Sequence, residues 1–266
     1  MTDPESPDGR YTVLDPLAAR YASWLRLPAA ATADTDDEDP AEVRAMPVIL
    51  RIERTDPPPR TALLEAAAAA AVAVCLDPRA EPAGEWHDEV AAWIGGRIRK
   101  VTRRARGAHW AAVQALPGIT VTVAGAEVRA LVPGRVVETP REVSRLQISG
   151  SELPPEPPAP VPPGLPVLWL NPTVELTAGK AAAQVGHATM LLAALLHADG
   201  RTDALTGWAT QDFRCAVRTP TPAQWSTLHP TADPATAWRT HQLVAVRDAG
   251  FTEVAPGTIT VLAQFP

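Results

Sequence analysis

Eight of the fifteen residues from Glu152 to Pro166 are proline. Proline fixes φ and has no backbone N–H to donate, so this stretch suits neither a helix interior nor a central strand. It reads as a stiff, extended connector, partly polyproline II. The expectation is a linker over 152–165 that divides the chain into two parts of comparable size. At 266 residues in total, each part is long enough to bury a core of its own.

The two parts correspond to each other in order. Met46–Leu50 matches Leu165–Trp169 as a first strand, and Thr61–Leu76 matches Lys180–Leu196 as a long first helix. Trp93 matches Trp208 near the end of a short second helix. Arg99–Arg103 matches Arg214–Arg218 as a second strand, and Ile119–Val123 matches Leu243–Val246 as a third. Pro133-Gly134 matches Pro256-Gly257 in the turn before a fourth strand. The expected fold class is α/β: two tandem copies of a small β-α-α-β-α-β-β unit with a mixed, mostly parallel sheet, arranged as a pseudo-dimer. The expected boundaries are 1–45, 46–151, the linker 152–165, and 166–266. Within 1–45, Leu14, Leu17, Tyr21, Trp24 and Leu25 recur at helical spacing and predict a short amphipathic helix docked on the body. The acidic stretch Asp34–Asp39 after it reads as solvated and mobile.

Composition narrows the function classes. The net charge of −6 argues against a general nucleic-acid binder. One dense basic cluster stands out: Arg97, Arg99, Lys100, Arg103, Arg104 and Arg106, beside His109 and Trp110. It is the candidate RNA contact, with Arg103, Arg104 and Arg106 the residues singled out. No run of about 18 apolar residues predicts a membrane span. The N-terminus lacks the layout of a signal peptide. Cys75 and Cys215 sit in apolar contexts in different segments and read as buried free thiols, which suits a cytoplasmic protein. The six histidines show no metal-ligand spacing, so no metal is expected.

The strongest chemical signal is Gly179-Lys180-Ala181-Ala182-Ala183-Gln184-Val185-Gly186-His187-Ala188, which follows the strand-like Val167–Leu170. On a helix, Lys180, Gln184 and His187 fall at i, i+4 and i+7 and share a face. The chain has only two lysines against 22 arginines, so a Lys here is not incidental. Lys is the compact donor that Arg does not replace at a tight site. GK without a following Ser or Thr is not a phosphate-binding P-loop. A second stretch, Asp248-Ala249-Gly250-Phe251-Thr252, comes about sixty residues later.

Over roughly residues 165–266 this pair of motifs resembles the type-II peptidyl-tRNA hydrolase family, in which GK-x-AAQ-x-x-HA and DAG-x-T recur. The resemblance implies cleavage of the ester joining a peptide to the terminal ribose of tRNA, with no cofactor. It implies a catalytic set of Lys180, Asp248 and Thr252, with Asp248 orienting or deprotonating water and Lys180 stabilising the oxyanion or holding a phosphate. Thr252 would bond the water or steady the Asp248 loop. Gln184 would position ribose or ester oxygens, and His187 would either meet substrate or hold the helix to the sheet. The implied partner is peptidyl-tRNA or a related acyl-tRNA. Type-II hydrolases commonly form homodimers, so the resemblance implies a monomer acting as an internal pseudo-dimer. In the repeat alignment Lys180 falls opposite Thr61, Gln184 opposite Glu65, His187 opposite Ala68, Asp248 opposite Gly125 and Thr252 opposite Arg129, so the first copy lacks the chemical residues. The alternative is a catalytically inactive hydrolase-fold module that binds RNA or a protein partner. The acidic balance favours it, as does Asn171-Pro172-Thr173 where the family carries Arg-x-Asp.

Overall fold

A computed structural model describes residues 10–157, 159–228 and 233–266. After α1 (Asp15–Arg26) and a single turn, α2 (Ala29–Thr32), the first half runs β1 (Arg44–Arg51), α3 (Arg60–Leu76), α4 (His87–Gly95) and β2 (Arg99–Ala105). It continues through α5 (Gly107–Val113), β3 (Gly118–Val123), β4 (Ala126–Leu131), the two-residue β5 (Gly134–Arg135) and α6 (Arg141–Ser144). The second half runs β6 (Val167–Leu170), α7 (Ala178–Ala198), α8 (Thr202–Ala209), β7 (Ala216–Arg218), α9 (Pro222–Leu228), α10 (Pro234–His241), β8 (Leu243–Arg247) and β9 (Ile259–Gln264).

The sheet orders are β2-β1-β4-β3 and β7-β6-β9-β8. Within each, the first two strands are parallel, and the last strand inserts antiparallel between the first and third. Both sheets are mixed, as expected, but antiparallel pairs outnumber parallel ones. The reason is that β4 and β9 return from the strand just before them to the middle of the sheet.

The repeat alignment needs correcting at its end. Pro133-Gly134 lies after β4, not before it; the β3–β4 connection is the two-residue hairpin Ala124-Gly125, with φ of 45° and 84°. The corresponding β8–β9 connection spans residues 248–258. Asp248 therefore aligns with the hairpin itself, Thr252 has no counterpart, and Arg129 lies inside β4. A two-residue turn offers no loop on which a second Asp or Thr could stand.

The long helices form the centre. α3 lies on β3 and β4, α7 lies on β8 and β9, and the two helices pack on each other. One apolar cluster runs through both halves. Small side chains permit this close approach: Ala66–Ala71 are fully buried, and a Cβ added to Gly186 would sit 2.9 Å from the Ala71 Cβ. Thr189 satisfies its buried hydroxyl on the Ala68 carbonyl across the crossing, at 2.7 Å. Each helix also reaches the other half's outer strand, α3 touching β7 and α7 touching β2. By length and composition α7 would be apolar enough to cross a membrane, but here it is a core helix. From Ala178 to Leu196 only Lys180 and His187 escape full burial.

α1 packs on α7, and its Leu17 and Tyr21 are buried, as is Leu14 just before it. The Tyr21 hydroxyl accepts from the Ala245 amide at 2.8 Å, and the Trp24 indole donates to the Arg247 carbonyl at 3.1 Å. In the acidic stretch after α1, Asp34, Asp36, Asp37 and Asp39 are exposed, as expected of a solvated segment, while Glu38 folds back onto Arg97 and Arg99. Cys75 and Cys215 are both buried and free, and burial pushes the Cys75 thiol up to about 12.

Candidate active site

The site forms where α7 begins and β8 ends. Thr177 caps α7, its hydroxyl accepting from the Lys180 amide at 3.1 Å. Ser151 takes two more of the free amides at the helix start: its carbonyl accepts from Ala178 and its hydroxyl from Gly179. Glu253 accepts from both the amide and the hydroxyl of Thr177, at 2.9 and 2.7 Å. Helix start and β8–β9 loop are thus tied together, so Lys180 and Asp248 are held in a fixed relation.

Asp248 is 7% exposed, yet it is well partnered. Its Oδ2 accepts from Lys180 Nζ at 2.6 Å and from Gln184 Nε2 at 2.8 Å, and its Oδ1 from the Gly250 amide at 2.7 Å. Gly250 sits at φ 86°, and an added Cβ there would run into Pro256, so the tight turn back toward the carboxylate needs glycine. A carboxylate accepts only, which fixes the Gln184 amide with its nitrogen toward Asp248. Its oxygen then accepts from the Thr260 hydroxyl. Lys180, Asp248, Gln184 and Thr260 form one connected network of mostly buried groups. The positive end of α7 adds to the field at Asp248.

Thr260 was not among the residues picked out from the sequence. Val246 pairs with Val261 and Arg247 with Ile259, so Thr260 is the extra residue of a β-bulge on β9. A bulge re-aims a side chain, and here it turns a hydroxyl from a largely apolar strand toward α7.

The structure brings Lys180, Gln184 and Asp248 together and leaves Thr252 apart. Thr252 is exposed on the loop and makes no hydrogen bond among the described residues. His187 turns to the other half of the molecule, where its Nδ1 lies 3.1 Å from Lys100 Nζ. Burial, then the charges of Lys100 and Lys180, hold His187 well below its usual range, so the neutral ring accepts from the lysine. Lys100 also contacts Met190 Sδ at 3.1 Å and lies 5.0 Å from the Trp93 ring centroid. Burial pulls Lys100 down to about 7.

The basic cluster is largely engaged. Arg103 donates to the carbonyls of Ser144 and Leu146, and Arg104 to Ser149 and Gln147, so both pin the 144–149 segment to β2. Arg106 is partly exposed; its carbonyl accepts from the His109 and Trp110 amides, while its guanidinium has no hydrogen bond or ion pair among the described residues. Arg97 and Arg99 both bind Glu38.

Residues 166–266 match the family model for peptidyl-tRNA hydrolase PTH2. The match contains every member of the Lys180–Asp248–Gln184–Thr260 network and supports the type-II peptidyl-tRNA hydrolase family for the C-terminal part of the chain. No curated protein and no solved structure matches the chain.

Proposed function

We propose that the protein hydrolyses the ester of peptidyl-tRNA or a related acyl-tRNA. The observation that carries this reading is the Lys180–Asp248–Gln184 network at the start of α7, inside the segment matched by the family model. Water attacks the ester carbonyl with Asp248 as its orienting or accepting group. Lys180, 2.6 Å away, stabilises the oxyanion that develops. The bond between the carbonyl carbon and the ribose oxygen then breaks and that oxygen takes up a proton released from the attacking water, giving a free peptide carboxylate and a tRNA hydroxyl. Gln184, steadied by Thr260, holds the carboxylate in place and offers an amide to the ribose or ester oxygens. Thr252 stands on the loop that approaches the substrate.

We further propose that the two halves are copies of one unit forming a pseudo-dimer in a single chain, with the first copy lacking the chemistry. Matching strand order and direction in the two sheets support this, as does the crossing of α3 and α7. The competing reading is an inactive hydrolase-fold module that binds RNA or a protein. It is favoured by Asp248 already accepting from three donors. Release of labelled peptide or amino acid from charged tRNA by the purified chain decides between them; no release at any enzyme concentration would leave the module.

A further inference from the structure

Arg97 and Arg99 at the start of β2 are occupied in an unusual way. Glu38 receives both Arg99 terminal nitrogens, at 2.7 and 2.5 Å, and Arg97 Nε at 3.2 Å. Arg97 also reaches the Asp34 carbonyl, the Thr32 carbonyl at 3.4 Å and the Asp37 carboxylate at 3.4 Å. The segment that supplies these groups carries Asp34, Asp36, Asp37, Glu38 and Asp39 and has no helix or strand. Most of it is exposed, so charge and not apolar packing holds it down. A cavity of about 360 Å³ lies beside it, bordered by Glu38, Trp93, Arg97 and Arg99.

The location matters as much as the charge. The Arg99 guanidinium lies 5.2 Å from the ring centroid of Phe251, three residues beyond Asp248 in the loop. Phe251 is 48% exposed, a large apolar ring on the rim of the site. Further along β2, Thr102 lies beside Gly179 at the start of α7. The arginine pair therefore stands on the site's own flank. A bidentate arginine accepts a carboxylate or a phosphate with the same geometry, and an exposed aromatic ring stacks on any base.

We propose that Arg97, Arg99 and Phe251 form a contact for the phosphodiester backbone and a base of the RNA substrate, and that the Asp34–Asp39 tract is an intramolecular stand-in that RNA displaces. The inference rests on the acyl-tRNA reading and adds to it where the RNA is gripped and what competes for the grip.

The test is anisotropy titration of 5′-labelled tRNA with the full chain. Asp37→Asn combined with Glu38→Gln tightens binding about tenfold at about 50 mM salt. Two freed phosphate contacts also make this variant lose about sevenfold more affinity than the unaltered chain between about 50 and 200 mM salt. Adding Arg97→Ser and Arg99→Ser removes the gain. Phe251→Ser, a change in the exposed loop that leaves β2 itself unaltered, weakens the tract variant about fivefold through lost stacking. No tightening overturns the inference, as does a gain that survives loss of both arginines, or a Phe251→Ser variant that binds as before. Cleavage of acyl-tRNA is followed in parallel. Cleavage without these binding changes removes the inference and leaves the hydrolase. The binding changes without cleavage by any variant remove the hydrolase and retain the RNA contact.

Discussion

Lys180 and Asp248 are each other's nearest charged partner, so removing either changes the chemistry and the local field together. Lys180→Ala and Asp248→Asn each lower ester cleavage about a hundredfold or more, a usual size for loss of an oxyanion donor or a base; single-turnover rates check this, and full activity in both would exclude the assignment. Lys100 makes a different case. It is partly buried beside His187, Met190 and Trp93 and meets no carboxylate among the described residues. Its folded-state value, about 7, lies below the ordinary lysine value of 10.5. The unfolded chain therefore binds a proton there that the folded chain does not, and stability rises with pH through that window. Lys100→Met keeps the apolar contacts and raises stability by about 1–3 kcal/mol near pH 6. The gain shrinks toward pH 10, as denaturant titrations at the two pH values show; destabilisation at pH 6 would mean that the cation is needed. At this scale the sequence was legible in geometry: Lys180 and Gln184 share a helix face one turn, about 6 Å, apart, and Asp248 accepts from both. His187 shares their angular position but lies about 10.5 Å along the axis from Lys180, so it meets Lys100 instead. Thr260 was illegible because a bulge breaks the alternation by which strand residues are assigned to faces.

Among the elements, the crossing of α3 and α7 is the contact least tolerant of change. Gly186→Ala gains helix propensity of about 1 kcal/mol, but its methyl would meet the Ala71 methyl at 2.9 Å. Neither methyl can swing aside, so the clash wins and the chain loses about 1–3 kcal/mol. Ala71→Gly in the same chain restores part of the loss, which a double-mutant cycle by chemical denaturation measures; additive effects would show that the helices do not meet there. The strands and long helices were legible because apolar runs and helical periodicity mark them in each half. The β3–β4 turn was not, since Pro-Gly marks many kinds of turn and Pro133-Gly134 drew the alignment past a hairpin of only two residues. The fold-back of the acidic tract was hidden for another reason: composition reports charge, not the partner that charge will find.

For the whole molecule, one apolar cluster joins both halves and leaves the long helices no unpaired face. On the proposed pseudo-dimer reading the chain is a monomer of 28.2 kDa in solution; light scattering at micromolar concentration measures this, and a tight homodimer would count against it. The crossed contacts of α3 with β7 and of α7 with β2 carry a further consequence. The helix that presents Lys180 and Gln184 is seated against a neighbour encoded in the same polypeptide. Two separate subunits would come apart on dilution, and their shared support would depend on how much protein the cell makes. Here the partner's effective concentration is set by the tether between residues 152 and 165 and does not fall when the protein is scarce.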